Sequence, residues 1–394
     1  MSHDRAAARK ANILIVDDTP ANLRLLSQML TEKGYLVRPV PDGPLALAAV
    51  RAEPPDLILL DIRMPEMNGY EVCERLKAEA QSRDIPIIFI SALGDIQDKI
   101  RAFTVGGVDY ITKPFQFEEV LARVQTHLAL RKLQKQLEEA NKRFEQELAL
   151  AGQIQASFLP AGLPNVPGWQ LTAMLEPARE TSGDFYDLIP LPKGRWGIVV
   201  ADVTDKGAGA ALYMALSCTL IRTYAVEHAA QPALALGAVN RRILADTHTD
   251  MFVTAFVGVL DLKGGTLRYG NAGHNPPYLF GAREGGGAPG VVQALTRTGL
   301  PLGMLKDVTW EQRTVQLEPG DALVLYTDGI TEAQNEQQEF FGEDRLLACV
   351  RAHVGRPAQG IRDAIVADVH RFVGDAPQFD DIALMVLVRG SPEG

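Results

Sequence analysis

Between residues 116 and 158 the chain contains no proline and a single glycine, Gly152, although 24 prolines and 35 glycines are spread over its 394 residues. Glu, Lys, Gln and Leu dominate this stretch, and its charges alternate in sign. A segment without breakers and rich in straight-chain residues extends as one long helix. Such a helix has no core of its own, so the rest of the sequence must form separately folded units on either side. Apolar residues at Leu133, Leu137, Ala140, Phe144, Ala151, Ile154 and Phe158 fall close to a 4-3 repeat. Glu147 stands where that repeat asks for an apolar residue, and Leu148 is one step off register. The spacing favours a two-stranded coiled coil, with an amphipathic helix lying on one of the chain's own domains as the alternative. Helix stops arrive at Pro160, Pro164 and Pro167. The expected organisation is an N-terminal domain over 11–128, a helical linker over 129–158 and a C-terminal domain over 159–394.

The N-terminal part alternates short β-branched runs (13–16, 57–60, 85–90) with helical patterns (21–30, 44–50, 70–80). Continuous apolar strands suit a parallel sheet buried on both faces with helices as crossovers, which predicts an α/β doubly wound, flavodoxin-like domain. In the C-terminal part, strands at 196–203, 252–260, 266–269, 322–326 and 382–388 cluster apart from helices at 208–228, 232–246, 343–353 and 362–372. That grouping predicts an α+β layered domain. The stretch 281–290 reads as a glycine-rich loop without chemistry of its own.

Acidic residues end two of the N-terminal strands: Asp17 and Asp18 after the first, Asp61 after the second. Ligand chemistry in an open parallel sheet sits beyond the carboxyl ends of the strands. Carboxylates gathered there repel one another, and a divalent cation relieves the repulsion. Ser91 ends the next strand and Lys113 follows the last short one, in Tyr-Ile-Thr-Lys-Pro. This set resembles that of a receiver (response-regulator) domain. The resemblance implies that Asp61 accepts phosphate from a histidine kinase. It also implies that Asp17 and Asp18 hold Mg²⁺ with Asp61, helped by the backbone carbonyl of Arg63. Ser91 would bond the acyl phosphate, Lys113 would pair with it, and Tyr110 would be the aromatic switch. Met64-Pro65 and Asn68-Gly69 match the family's loop after the phosphoacceptor. A flavodoxin-like domain with ordinary surface carboxylates is the alternative, and five matching positions speak against it.

Four acidic groups mark the C-terminal domain: Ser182-Gly-Asp184-Phe-Tyr-Asp187, Ala201-Asp202-Val-Thr-Asp205-Lys-Gly207, Thr327-Asp328-Gly329 and Phe379-Asp380-Asp381-Ile382. Hydrolysis of a phosphate ester needs a strong nucleophile at neutral pH and neutralisation of transition-state charge. Two divalent cations about 3.5–4 Å apart provide both, and oxygen ligands from several Asp residues suit such hard ions. The order and flanks of these groups resemble the PPM family, protein phosphatases of the 2C type, and within it the bacterial SpoIIE/RsbU branch. Asn271-Ala-Gly-His-Asn-Pro-Pro277, Leu300-Pro-Leu-Gly303 and the stretch from Pro319 to Gly329 reinforce the match.

The resemblance implies two Mn²⁺ or Mg²⁺ ions, with Asp202 bridging both and the carbonyl of Val203 nearby. Asp184 would complete one site, and Asp328 with Asp380 the other; the pairing with Asp381 leaves one residue of ambiguity. Ser182 and Asp205 stand where Gly is frequent and Ala383 where Thr is frequent. His274, in a Gly/Asn/Pro turn, reads as a structural hydrogen-bonding residue more readily than as a ligand or general acid. Arg179 is as well explained by an exposed loop as by phosphate binding. Residues 151–160 resemble the helix that opens this branch, which implies a homodimer formed through the linker.

The formal net charge of −10 and the lack of a basic helix after Lys113 argue against nucleic acid as a partner. The three cysteines are scattered, no signal segment is visible and no uninterrupted apolar run reaches membrane-spanning length. A cytoplasmic location is therefore expected. The function expected is a response regulator whose phosphorylation at Asp61 activates a metal-dependent serine/threonine protein phosphatase. The resemblance makes a phosphorylated anti-sigma factor antagonist of the STAS type its expected substrate. A receiver-controlled pseudophosphatase that only docks a partner is the alternative.

Overall fold

The computed structural model describes residues 11–91, 96–282 and 292–390. The polar N-terminus and the glycine-rich loop from residue 283 onward lie outside them. Residues form two compact units, divided at Arg143 and Phe144.

In the first unit, β1 (Asn12–Val16), α1 (Pro20–Glu32), β2 (Leu36–Val40), α2 (Gly43–Ala52), β3 (Leu57–Asp61), α3 (Gly69–Ala78), β4 (Ile87–Ser91), α4 (Ile96–Thr104) and β5 (Asp109–Thr112) alternate in chain order. The strands form one parallel sheet in the order β2-β1-β3-β4-β5. Every residue of β1 and β3 is buried, as helices on both faces require. Helix starts follow local chemistry. Pro20 opens α1, the Asp42 side chain caps α2 by accepting from Leu45 N at 2.8 Å, and Asn68 with Glu71 forms a capping box on α3. The expected doubly wound domain is present, and β2 is an addition to it. This edge strand is half-exposed and contains Pro39, so its sequence lacks the unbroken apolar run of its neighbours.

Helix α5 runs without interruption for 40 residues, Phe117–Ala156. Leu130, Leu133, Leu137, Phe144, Leu150 and Ile154 along it are each more than half exposed.

The second unit contains β6 (Trp169–Glu176), β7 (Phe185–Leu191), β8 (Arg195–Val203), α6 (Ala208–Glu227), α7 (Pro232–Asp246), β9 (Val253–Asp261), β10 (Thr266–Ala272), β11 (Tyr278–Phe280), β12 (Val292–Ala294), β13 (Arg313–Gln316), β14 (Ala322–Tyr326), α8 (Asp328–Thr331), α9 (Gly342–His353), α10 (Ala358–Val373) and β15 (Ile382–Arg389). Two antiparallel sheets, β13-β10-β9-β8-β7 and β12-β11-β14-β15-β6, face each other. Ile198, Val200 and Phe256 from one meet Leu323, Leu325, Met385 and Leu387 from the other in a dry middle layer. Helices α6 and α7 cover the outer face of the first sheet, and α9 and α10 that of the second. This is a four-layer α+β sandwich, as the clustering of strands predicts. The sequence reading lacks β11, β12 and β13, each only three or four residues long, and the longer β6 and β7. Both are edge strands whose apolar pattern is broken by Gln170, Thr172, Asp187 and Pro190. Helix α6 is long and apolar enough to cross a membrane by length and composition, yet Met214, Cys218 and Ile221 on it are core residues. Cys73, Cys218 and Cys349 are all buried and unpaired.

Candidate functional site

At the carboxyl edge of the first sheet, Asp17, Asp18 and Asp61 each offer a carboxylate oxygen within 4.8 Å of the others. Asp17 and Asp61 are buried and Asp18 is exposed. Lys113, just past β5, reaches both buried carboxylates, at 2.8 Å from Asp17 Oδ2 and 3.1 Å from Asp61 Oδ2. Burial raises the pKa of Asp61 against the opposing pull of the Lys113 ammonium, and Asp17 and Asp18 add to the rise. Burial likewise opposes the Lys113 charge, but its two carboxylate partners prevail and raise its pKa. Ser91 ends β4 beside this edge, and its carbonyl accepts from Lys113 N at 2.7 Å. Arg63 follows in the loop after Asp61, with its side chain exposed. Tyr110 lies on β5, its ring edge-on to Phe103 and 4.3 Å from Lys99 Nζ. Asn22 has no place in the sequence reading. Its amide donates to both Asp17 oxygens at 3.0 Å, a contact that no sequence pattern on α1 announces.

The second site lies where the two sheets of the sandwich end together. The register that pairs Phe185 with Ala201 brings Asp184, just before β7, beside Asp202 on β8. Asp328 begins α8 directly after β14, and Asp380 precedes β15, the antiparallel neighbour of β14. A Cβ on Gly329 would collide with the carbonyl of Asp381, so the turn carrying Asp328 packs against the one carrying Asp380 only with glycine there.

Burial, with the Asp202 charge next, holds the Asp184 carboxyl well above the usual carboxylate range. Burial and Asp328 push Asp202 up to about 7; burial and Asp380 push Asp328 up to about 6. Shifts of this kind mark carboxylates crowded together without enough counter-charge. Asp184 Oδ2 is buried and has no hydrogen-bond partner. An all-carboxylate set with an orphaned buried oxygen fits hard divalent cations. Among the described residues no three of these carboxylates reach the 4.8 Å mutual spacing of the first site.

The structure distinguishes the adjacent aspartates. Both oxygens of Asp381 are engaged, accepting from Ala178 N at 2.7 Å and Gly183 N at 2.8 Å. Asp380 instead faces Lys206, whose Nζ lies 3.1 Å from its Oδ2. Lys206 sits inside the quoted Asp205-Lys-Gly207 group but has no role in the sequence reading; its sign among acids was the available signal. Asp205 adopts φ +80°, a left-handed conformation for which glycine is the usual residue. His274 is buried, with Nδ1 2.9 Å from Thr254 Oγ1 and its backbone N–H donating to Asn271 Oδ1. Burial pushes it down to about 3, so it is neutral. Arg179 is exposed.

A family model for Stage II sporulation protein E (SpoIIE) matches residues 192–390, just over half of the chain. The chain belongs to the SpoIIE family. Residues 13–125 match the response regulator receiver domain, so a receiver precedes the SpoIIE-family phosphatase domain of the PP2C type. Asp184 lies ahead of the matched SpoIIE segment and is placed by the sheet register alone. Protein IcfG of Synechocystis sp. is 34% identical over 269 residues, covering 62% of this chain and 41% of IcfG; the chain thus spans less than half the length of that relative. Among solved structures, the SiaA-PP2C domain of Pseudomonas aeruginosa is similar with a TM-score of 0.56 and 25% identity, covering 64% of this chain and 99% of that one. The RsbU and RsbW domains of Rv1364c from Mycobacterium tuberculosis give a TM-score of 0.50 and 27% identity, covering 59% and 62%.

Proposed function

We propose that the chain is a response regulator in which phosphorylation of Asp61 by a histidine kinase controls hydrolysis of phosphoserine or phosphothreonine on a partner protein. The observation that carries this reading is the convergence of Asp184, Asp202, Asp328 and Asp380 from two sheets, with burial and neighbouring carboxylates raising the first three. These four, with the Val203 carbonyl, would hold two Mn²⁺ or Mg²⁺ ions, and Asp202 would lie between both. Such ions supply an acidified water and neutralise phosphoryl charge. The residues around them hold the ligands in place. Asp381 ties down the 178–183 segment, and Gln378 donates to the Asp380 carbonyl at 2.8 Å. In the receiver, Asp17, Asp18, Asp61 and the Arg63 carbonyl would hold Mg²⁺, while Ser91 and Lys113 receive the phosphoryl oxygens.

A phosphorylated anti-sigma factor antagonist is the substrate this reading favours, on the resemblance to the SpoIIE/RsbU branch. A pseudophosphatase that only docks its partner is disfavoured, because all four carboxylates are present. In this reading the functional domains would span 11–128 and 159–394 with the linker at 129–158, and the protein would act in the cytoplasm with neither nucleic acid nor membrane as partner. The test is release of phosphate from a phosphoserine protein with Mn²⁺ or Mg²⁺, with and without beryllofluoride to mimic phosphorylated Asp61. Metal-dependent release that responds to beryllofluoride is expected; no release under any metal would leave only the docking role.

A homodimer through α5 completes the proposal, supported by the exposed apolar seam of that helix. Changing Leu137 and Phe144 together to Lys is expected to give monomers in sedimentation experiments. A monomeric unmodified protein, in both phosphorylation states, would refute the coiled coil.

A further inference from the structure

We propose that Gln155 is a positioning residue for the Asp184 carboxylate, acting through the backbone and hydroxyl of Ser182. The proposal rests on the reading of Asp184 as a metal ligand. Gln155 is in the last turn of α5 and is 7% exposed. Its amide satisfies both backbone groups of one residue: Nε2 donates to the Ser182 carbonyl, and Oε1 accepts from Ser182 N at 3.0 Å. This doubly bonded amide fixes the peptide planes on either side of Ser182. Ser182 passes the constraint on. Its hydroxyl accepts from Asp184 N at 3.0 Å and donates to the Asp184 carbonyl at 3.2 Å. The backbone of Asp184 is therefore held from the helix through a single intermediate residue.

Two further contacts seat the end of the helix on the same segment. A Cβ at Gly152 would collide with the Glu180 carbonyl, so the helix backbone rests directly on residue 180. Beyond the helix, the Phe158 carbonyl accepts from Arg222 Nη2 at 2.9 Å, and Arg222 Nε donates to Asp187 Oδ2 at 2.7 Å. Contacts at 180, 182 and 187 thus bracket Asp184. Asp184 Oδ2 has no hydrogen-bond partner of its own, so the backbone anchor is a main constraint on the position from which that side chain reaches a metal. Ser182 stands where glycine is frequent in the branch it resembles, and only a side chain with a hydroxyl supplies the second half of this relay.

The experiment measures Mn²⁺ binding to the full chain by calorimetry, together with phosphate release as a function of Mn²⁺ concentration. The variants are Gln155→Glu, which keeps the shape but cannot donate to the Ser182 carbonyl once ionised, and Ser182→Gly, which removes only the hydroxyl link. Asp184→Asn identifies the share of binding that belongs to the phosphatase site, since receiver binding is common to all variants. Outer-shell partners of metal ligands typically contribute 10–100-fold in affinity, so each variant is expected to need about tenfold more Mn²⁺, with turnover recovering at saturation. The double variant should be less than additive, because both changes break one relay. Unchanged Mn²⁺ affinity in folded variants overturns the proposal. So does turnover that falls equally at every Mn²⁺ concentration, which is what a purely structural role would give. If Gln155→Glu does not fold, Ser182→Gly decides alone. Identical Mn²⁺ binding by the unmodified protein and Asp184→Asn would instead remove the metal reading of the site.

Discussion

Asp202→Asn is expected to lower phosphatase turnover by about 10³-fold or more, because a two-cation clamp supplies several kcal/mol and each 1.36 kcal/mol is a factor of ten. In the proposed assignment the neighbouring carboxylates already have places of their own. Asp184 is beside Asp202 across the β7–β8 register, while Asp328 and Asp380 come from the opposite sheet. The same substitution is expected to raise the unfolding temperature in chelator at pH 8. Folding raises the Asp202 pKa to about 7, so its ionisation works against the folded state as pH rises from the ordinary carboxylate range through 7. A neutral amide escapes that repulsion. Loss of activity with gain of metal-free stability separates a ligand from a structural aspartate. Turnover close to that of the unmodified protein would sink the two-cation assignment.

Phosphorylating Asp61 with a small phosphodonor is expected to raise turnover about tenfold, within the 5–150-fold range common for coupled sites. Asp61→Ala should stay at the unphosphorylated rate with or without the donor. Lys113 now holds Asp17 and Asp61 together. A phosphoryl group replaces the Asp61 carboxylate charge with a larger negative charge and adds three strong acceptors, which draw Lys113 and the Ser91 hydroxyl to themselves. Tyr110 then has reason to leave its contacts with Phe103 and Lys99 and turn inward. The face it leaves borders α5, since Arg123 on that helix also lies over the Tyr110 ring. Equal rates for phosphorylated protein and Asp61→Ala, with phosphate on Asp61 verified by mass, would show the receiver to be uncoupled from the phosphatase.

The residues legible in the sequence were those that end apolar runs. Asp17, Asp61, Asp202 and Asp328 stand at or within a residue or two of the end of a buried strand, which places each of them at the end of its sheet. Central strands such as β1 and β14 were legible for the same reason, and edge strands such as β2, β6 and β7 were not, because one half-exposed face tolerates polar residues and proline. The choice between Asp380 and Asp381 was beyond the sequence: two adjacent aspartates differ only in which backbone N–H groups come near, and those belong to Ala178 and Gly183, some 200 positions earlier. Asp205 was legible as a departure from glycine but not as the +80° φ it adopts. Gln155 lies in the 151–160 stretch that the sequence singles out, but nothing there marks it apart from nearby Gln153.

The buried cysteines carry a practical consequence. Burial pushes the Cys73 thiol up to about 11 and the Cys218 and Cys349 thiols up to about 12. Thiolate is the form that alkylating reagents attack, and these three are both protonated and inaccessible. The folded chain is thus a silent background for thiol-directed labels. A cysteine introduced at exposed Lys142 on α5 would take up a nitroxide selectively. The dipolar coupling between two such labels would then test the proposed dimer by giving the distance from one copy of the helix to another, without removing a native cysteine.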